Sequence, residues 1–167
     1  MDKSALLHQL YTQYLHVMHM SERAAELVPQ ILKQRFSNTE LPSLPVNLTA
    51  IHVIDCIGRH KSVNGTTLAA HMRLSKAAIS KMGSRLMNAG LVTRSQLPHN
   101  KKEYFYSLTE LGEELYVLHS QLHHEEEQKF LSFLEEWEME ELTVIIRFLQ
   151  RFGETLEERI RESEELA

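Results

Sequence analysis

The chain is poor in the residues that staple or interrupt a fold: its 167 residues include one cysteine, four prolines and six glycines. A lone thiol, Cys56, excludes an internal disulfide framework and any cysteine-based zinc cluster within one chain. Scarce proline and glycine leave long unbroken stretches, which favours long helices over many short strands. No window approaches 18 or so uninterrupted apolar residues, so no membrane partner is expected. Met1-Asp2-Lys3-Ser4 opens without the basic and apolar regions of a signal peptide, and a cytoplasmic protein is the expectation. Apolar residues make up 43% and charged residues 25%. Those values fit one globular domain, or one domain with added arms, and exclude a disordered chain.

The most informative absence is local. From Arg59 to Lys102 there is no Asp or Glu, while nine cations occur: Arg59, Lys61, Arg73, Lys76, Lys81, Arg85, Arg94, Lys101 and Lys102. The segment carries +9, which leaves −14 for the remainder of a chain whose net charge is −5. An ordinary solvated face mixes both signs. A carboxylate-free basic middle between acidic flanks is the electrostatic footprint of a polyanion partner.

Periodicity assigns the elements around it. Residues 4–28 read as a helix, with Leu6, Leu7, Leu10, Tyr14, Val17 and Met18 on one stripe. Pro29 ends or kinks it, with Ile31, Leu32 and Phe36 available for a further turn or two. Residues 37–47, punctuated by Pro42 and Pro45, read as a loop. Thr49 is the expected N-cap of a second helix whose Ile51, Ile54 and Ile57 face the core. Asn64-Gly65 signals a turn, and Thr66 or Thr67 caps a short helix through His71. Met72-Arg73-Leu74 is a three-residue turn. Ser75 then caps a helix to Ala89, with Ile79, Met82, Leu86 and Met87 inward and Gly90 at the C′ position. Residues 91–96 alternate as a strand, 98–102 form a loop tip, and 104–108 return. Thr109 caps a helix to about Glu135, and a last helix spans about Glu138 to Glu164, with Leu142, Ile145, Ile146, Leu149, Phe152 and Leu156 on one side.

Helix, three-residue turn, helix and hairpin over residues 66–106 make a helix-turn-helix with a wing. The second helix is thin enough for a major groove and offers Ser75, Lys76, Ala77, Ala78, Ser80, Lys81, Ser84 and Arg85. Small residues permit close approach, and the cations supply counterion-release affinity. Lys101 and Lys102 at the hairpin tip reach toward an adjacent minor groove or its phosphates. Gly83 inside this helix costs about 1 kcal/mol against Ala, which leaves close packing or bending on DNA as its reason.

Leu68-Ala69 through Leu74-Ser75, Ile79-Ser80-Lys81, Arg85-Leu86, Ala89-Gly90-Leu91-Val92-Thr93-Arg94 and Leu108-Thr109-Glu110-Leu111-Gly112 resemble the MarR family of bacterial transcriptional regulators. The resemblance covers nearly the whole chain in element order, with its specific motif in residues 66–112. It implies a mainly α fold. A winged helix-turn-helix DNA-binding domain over 48–108 would lie between a dimerisation helix and loop at 1–47 and dimerisation helices at 109–167. It implies a homodimer on pseudo-palindromic double-stranded operator DNA, with a small-molecule or metal effector and repression as the usual outcome. The apolar stripes of 4–28 and 139–156 independently call for a second copy. One departure concerns the wing, where family members usually carry Asp followed by Arg. This chain has Asn100-Lys101-Lys102, so the carboxylate that braces an arginine is missing. Arg94 and Asn100 join the implied DNA-contacting set.

Ten histidines are many for this length. His119 and His123, four apart, share one helix face at a spacing suited to zinc. In the zinc-responsive, adhesin-competence-repressor-like subgroup of that family, positions matching His52, His119 and His123 are ligands. A first-helix carboxylate completes the set: Glu22 or Glu26 here, with His19 as a spare. The apolar Ile51 and Leu118 argue against that subgroup's second site. The plain alternative makes His119, His123 and His124 solvent-facing beside Glu125, Glu126 and Glu127, and His52 a core residue. His8, His16, His60, His71 and His99 show no convergent spacing. Cys56 is either a redox sensor or, more simply, a buried inert thiol. Tyr11, Tyr14, Met18 and Met20 suit either an aromatic-ligand pocket or a dimer core. Two other classes compete with a regulator. A metal-dependent hydrolase built on His119 and His123 lacks any matching enzyme fingerprint. A helical protein-interaction module leaves the basic segment unexplained.

Overall fold

The computed structural model describes residues 2–36, 47–97 and 100–166, apart from the side chains at 97, 100–102 and 164. Helix α1 (Lys3–Arg35) begins where the Asp2 carboxylate accepts a hydrogen bond from the Ala5 N–H at 2.8 Å. It continues through Pro29 instead of ending there. Proline removes one intrahelical hydrogen bond. The following turn buries Leu32 completely and packs Val28, Ile31 and Phe36 on the core, which offsets that loss. The expected loop over 37–47 lies, except for Asn47, outside the described residues.

The next three helices share one capping device. Asn47 caps α2 (Leu48–His60) by accepting from Ala50 N–H, and Asn64 caps α3 (Gly65–Met72) by accepting from Thr67 N–H. Ser75 caps α4 (Lys76–Asn88) through Ala78 N–H. Asparagine therefore takes the role expected of Thr49 and of Thr66 or Thr67. Its short carbonyl arm accepts from the N–H three residues on, so each helix starts two or three residues earlier than expected. Arg73, with φ 51°, and Leu74 make the turn between α3 and α4, closed by bonds to the Ala70 and Ala69 carbonyls. Gly90, φ +70°, turns the chain out of α4 in the left-handed conformation that glycine adopts cheaply.

The sheet has three strands in the order β1-β3-β2, all antiparallel: β1 (Val63–Asn64), β2 (Val92–Leu97) and β3 (Asn100–Leu108). The first strand was not expected; it pairs Val63 with Tyr106 and Asn64 with Phe105. The returning strand begins at Asn100, not 104, so the expected tip shortens, and Pro98 and His99 lie outside the described residues. Thr109 donates to the Gly90 carbonyl and accepts from Gly112 N–H at the start of α5 (Glu110–Leu134). Helix α6 (Met139–Glu165) opens with a reciprocal capping box between Glu138 and Glu141.

Contacts divide the chain into two units, one up to Leu122 and one from His123, the boundary falling within α5. The core of the first unit joins Ile51, Ile54 and Ile57 of α2 to Leu32, Leu68, Ile79, Leu86, Leu91, Tyr106 and Leu115. It thereby fixes α4 and the hairpin to one scaffold.

Candidate nucleic-acid interface

Helix α4 has two faces of opposite character. Ile79, Gly83 and Leu86 are buried at spacings of four and three, with Met82 half-buried beside them. Lys76, Ala77, Ser80, Lys81, Ser84 and Arg85 are exposed, and Ala78 is half-exposed. Three cations and two small hydroxyl residues therefore lie on the outer face of the helix that follows the turn. The N-terminal N–H groups add to that positive potential. Ser84 donates its hydroxyl to the Ser80 carbonyl at 3.0 Å, which leaves it as an acceptor toward any partner.

Gly83 is explained by packing. A Cβ there would stand 2.6 Å from the Tyr106 ring, so the glycine lets β3 press an aromatic ring against α4. On the same hairpin the exposed Arg94 stacks its guanidinium on Tyr104, 4.2 Å from the ring centroid. Asn100, Lys101 and Lys102 have strand backbone, and their side chains lie outside what is described. Tyr104 was not among the expected site residues, because its contact with Arg94 depends on hairpin register.

The histidines separate into groups that spacing alone did not reveal. His119 of α5 is buried, at 3% exposure, and not solvent-facing. Its ring centroid is 6.1 Å from that of His52, which is exposed and so not a core residue. Asp55 lies beside them, 3.8 Å from His119 Nδ1, while also pairing with Arg59 at 2.5 Å. Glu22, Glu26 and His19 are exposed on α1, and His123 is exposed within the second unit. Among the described residues no group of three or more His, Cys, Asp or Glu side chains is arranged to hold a metal. His60 and His71, without convergent spacing in sequence, meet across α2 and α3 with ring centroids 4.8 Å apart.

Cys56 is buried, and its thiol pKa is pushed up by desolvation first and by Asp55 second, with Arg59 opposing. That is the environment of an inert thiol rather than a reactive one. Tyr11, Met18 and Met20 stand exposed on α1, with the half-buried Tyr14 ring 6.3 Å from that of Tyr11. No described helix is long and apolar enough to cross a membrane.

A helix-turn-helix carrying a wing, with a carboxylate-free outer face on its second helix, defines a winged-helix protein of the DNA-binding class. The comparisons with known proteins make this specific. The family model of the MarR family matches residues 46–104. The chain is 34% identical over 148 residues to the HTH-type transcriptional regulator PchR of Bacillus subtilis, covering 89% of this chain and 88% of that protein. Its fold is similar to the zinc-responsive MarR family member ZitR of Lactococcus lactis, with TM-score 0.69 and 17% identity over 90% of this chain and 99% of the other. It is also similar to Streptococcus pneumoniae FabT, solved in complex with DNA, with TM-score 0.68 and 19% identity over 90% and 98% of the two chains. The chain belongs to the MarR family. It stands among transcriptional regulators and not among enzymes, so neither the hydrolase nor the interaction-module alternative is favoured.

Proposed function

We propose that this DNA-binding regulator works in the cytoplasm as a homodimeric repressor. Each copy would present α4 to one half of a pseudo-palindromic operator and its wing to the flanking groove. The observation that carries the reading is the outer face of α4, where Lys76, Ser80, Lys81, Ser84 and Arg85 are exposed together without a carboxylate. Ser75, Ala77, Ala78, Arg94, Asn100, Lys101 and Lys102 complete the proposed contact set. In this reading residues 48–108 form the DNA-binding domain, flanked by dimerisation segments at 1–47 and 109–167. The dimer is supported by apolar side chains left in solvent within each unit, among them Leu10 at 59% and Phe148 at 61% exposure. The test is duplex affinity against salt. Neutralising six or more phosphates makes affinity fall by about 10³ or more between 50 and 200 mM salt. A flat response overturns the assignment.

Control by zinc is a second reading. It is favoured by the convergence of His52, His119 and Asp55, in a chain whose fold resembles the zinc-responsive ZitR. His123 and Glu22 are the remaining candidate ligands. Imidazoles and carboxylates suit zinc chemically, and although these side chains are not arranged to hold a metal in this structure, an ion that drew them together would cross-link α2 and α5. Duplex affinity measured in excess chelator and then in added zinc decides it; identical values remove zinc as the effector.

A further inference from the structure

Between the start of α4 and the wing lies a crevice of about 190 Å³, lined among others by Thr66, Lys76, Ser80, Arg94, Glu103 and Tyr104. The hairpin register makes two of these neighbours. Arg94 pairs with Tyr106 and Gln96 with Tyr104, so Arg94 and Tyr104 are diagonal partners on one face of the two-stranded ribbon. The guanidinium lies over the Tyr104 ring at 4.2 Å. A cation held by a ring face keeps its in-plane N–H donors free, and those donors form the fork that matches two oxygens of a phosphate. Lys76 enters the same crevice from the first residue of α4.

We propose that this crevice seats one phosphodiester of the DNA backbone, and that Tyr104 is a positioning residue that holds Arg94 for it. Charge selects the ligand. Lys76 and Arg94 against Glu103 leave one net positive charge among the described lining residues, which matches the single negative charge of a backbone phosphodiester. The space is large enough for several waters, and so for a phosphate group with part of its hydration. Thr66 and Ser80 place hydroxyl groups along the same wall. Tyr104 is 42% exposed, so its ring is spent on Arg94 more than on the core. Tyr106, buried beneath Gly83, carries the structural load of this strand instead.

This inference rests on the reading that α4 binds duplex DNA. The experiment titrates a fluorescent 30-base-pair duplex of mixed sequence with wild type, R94A, R94K, Y104L, Y104F, the double variant R94A/Y104L, and K81A as the control for α4. R94A should lower the slope of log affinity against log salt by about 0.9. Y104L should weaken binding about two- to fivefold, Y104F should bind as wild type, and R94K should keep the slope but lose affinity. In the R94A background Y104L should have no further effect, and melting temperatures should stay together, which a purely structural tyrosine would not give. Y104L binding as wild type, or weakening R94A by its full factor, overturns the assignment to Tyr104. If K81A lowers affinity and slope while R94A and Y104L do nothing, the crevice falls and the α4 reading stands. If wild type shows no salt-dependent binding, both fall together.

Discussion

The stretch from α2 to β3 and the long helices α1 and α6 solve the same problem differently. In the first, each apolar face meets another face of the same chain. Ile54 and Ile57 are at most 1% exposed, Leu68, Ile79 and Leu91 at most 2%, and the outer face of α4 is left to cationic and small side chains. In the second, apolar side chains remain outside: Leu6, Leu7, Leu10 and Val17 on α1, and Ile146, Phe148 and Leu149 on α6. One region finishes its core alone and spends its surface on charge. Helices α1 and α6 each leave an apolar face unfinished, which the proposed dimer would cover.

The strongest way to break this comparison is to charge the unfinished face. L10E combined with V17E alters side chains already in solvent in a single copy, so the fold of one copy should persist. Sedimentation should then report monomers. Affinity for a two-half-site duplex should fall by about 100-fold, because the second half-site no longer binds intramolecularly. A variant that remains dimeric moves the interface elsewhere.

The next effect belongs to the finished region. G83A should gain about 1 kcal/mol of helix propensity, yet its Cβ would stand 2.6 Å from a Tyr106 ring that is only 4% exposed. Overpacking of this kind costs about 1–3 kcal/mol, so the melting temperature should fall, by about 2–4 °C per kcal/mol of net loss. A rise would mean that Tyr106 yields easily and that the glycine serves bending on DNA.

These two regions also differ in how much of them was readable from the chain. The α4 helix, its Ser75 cap, its turn and its exit at Gly90 follow from local signals: spacing, a hydroxyl before an apolar run, a glycine after it. Features made by distant partners were not readable. Strand β1 is two residues long, too short to alternate, and exists because β3 pairs with it. His60 and His71 meet only because α3 packs on α2. Tyr104 lies diagonal to Arg94 only in the register that the hairpin adopts, which shifts between Gln96 and Leu97. The Asn47 and Asn64 caps were local but ambiguous, since each stands within three residues of a threonine that satisfies the same rule. Pro29 signalled a break that the burial of Leu32 overrides.

K81A sharpens the comparison from the charged side. The side chain is exposed and no described ion pair involves it, so stability should change by less than about 0.5 kcal/mol. The salt slope of duplex binding should fall by about 0.9 if the lysine meets a phosphate. An unchanged slope with altered sequence preference would place Lys81 on a base edge instead.

The smallest effect tests how closed the finished region is. Cys56 lies on α2 at 9% exposure, with a thiol pKa raised above its ordinary 9.0, chiefly by burial. Because the folded state holds this proton more tightly than the unfolded chain, the thiol's contribution to stability is complete below pH 9 and is lost as pH climbs through the raised value. Reaction of the native protein with a thiol reagent at pH 8 should therefore be slow, and should reach the rate of a free cysteine only in denaturant. Melting temperatures at pH 8 and pH 10, compared with those of C56A, should show a steeper loss in the wild type. A native thiol that reacts at the free rate would show that α2 opens readily, and the contrast between a closed centre and open terminal helices would weaken at the helix that anchors it.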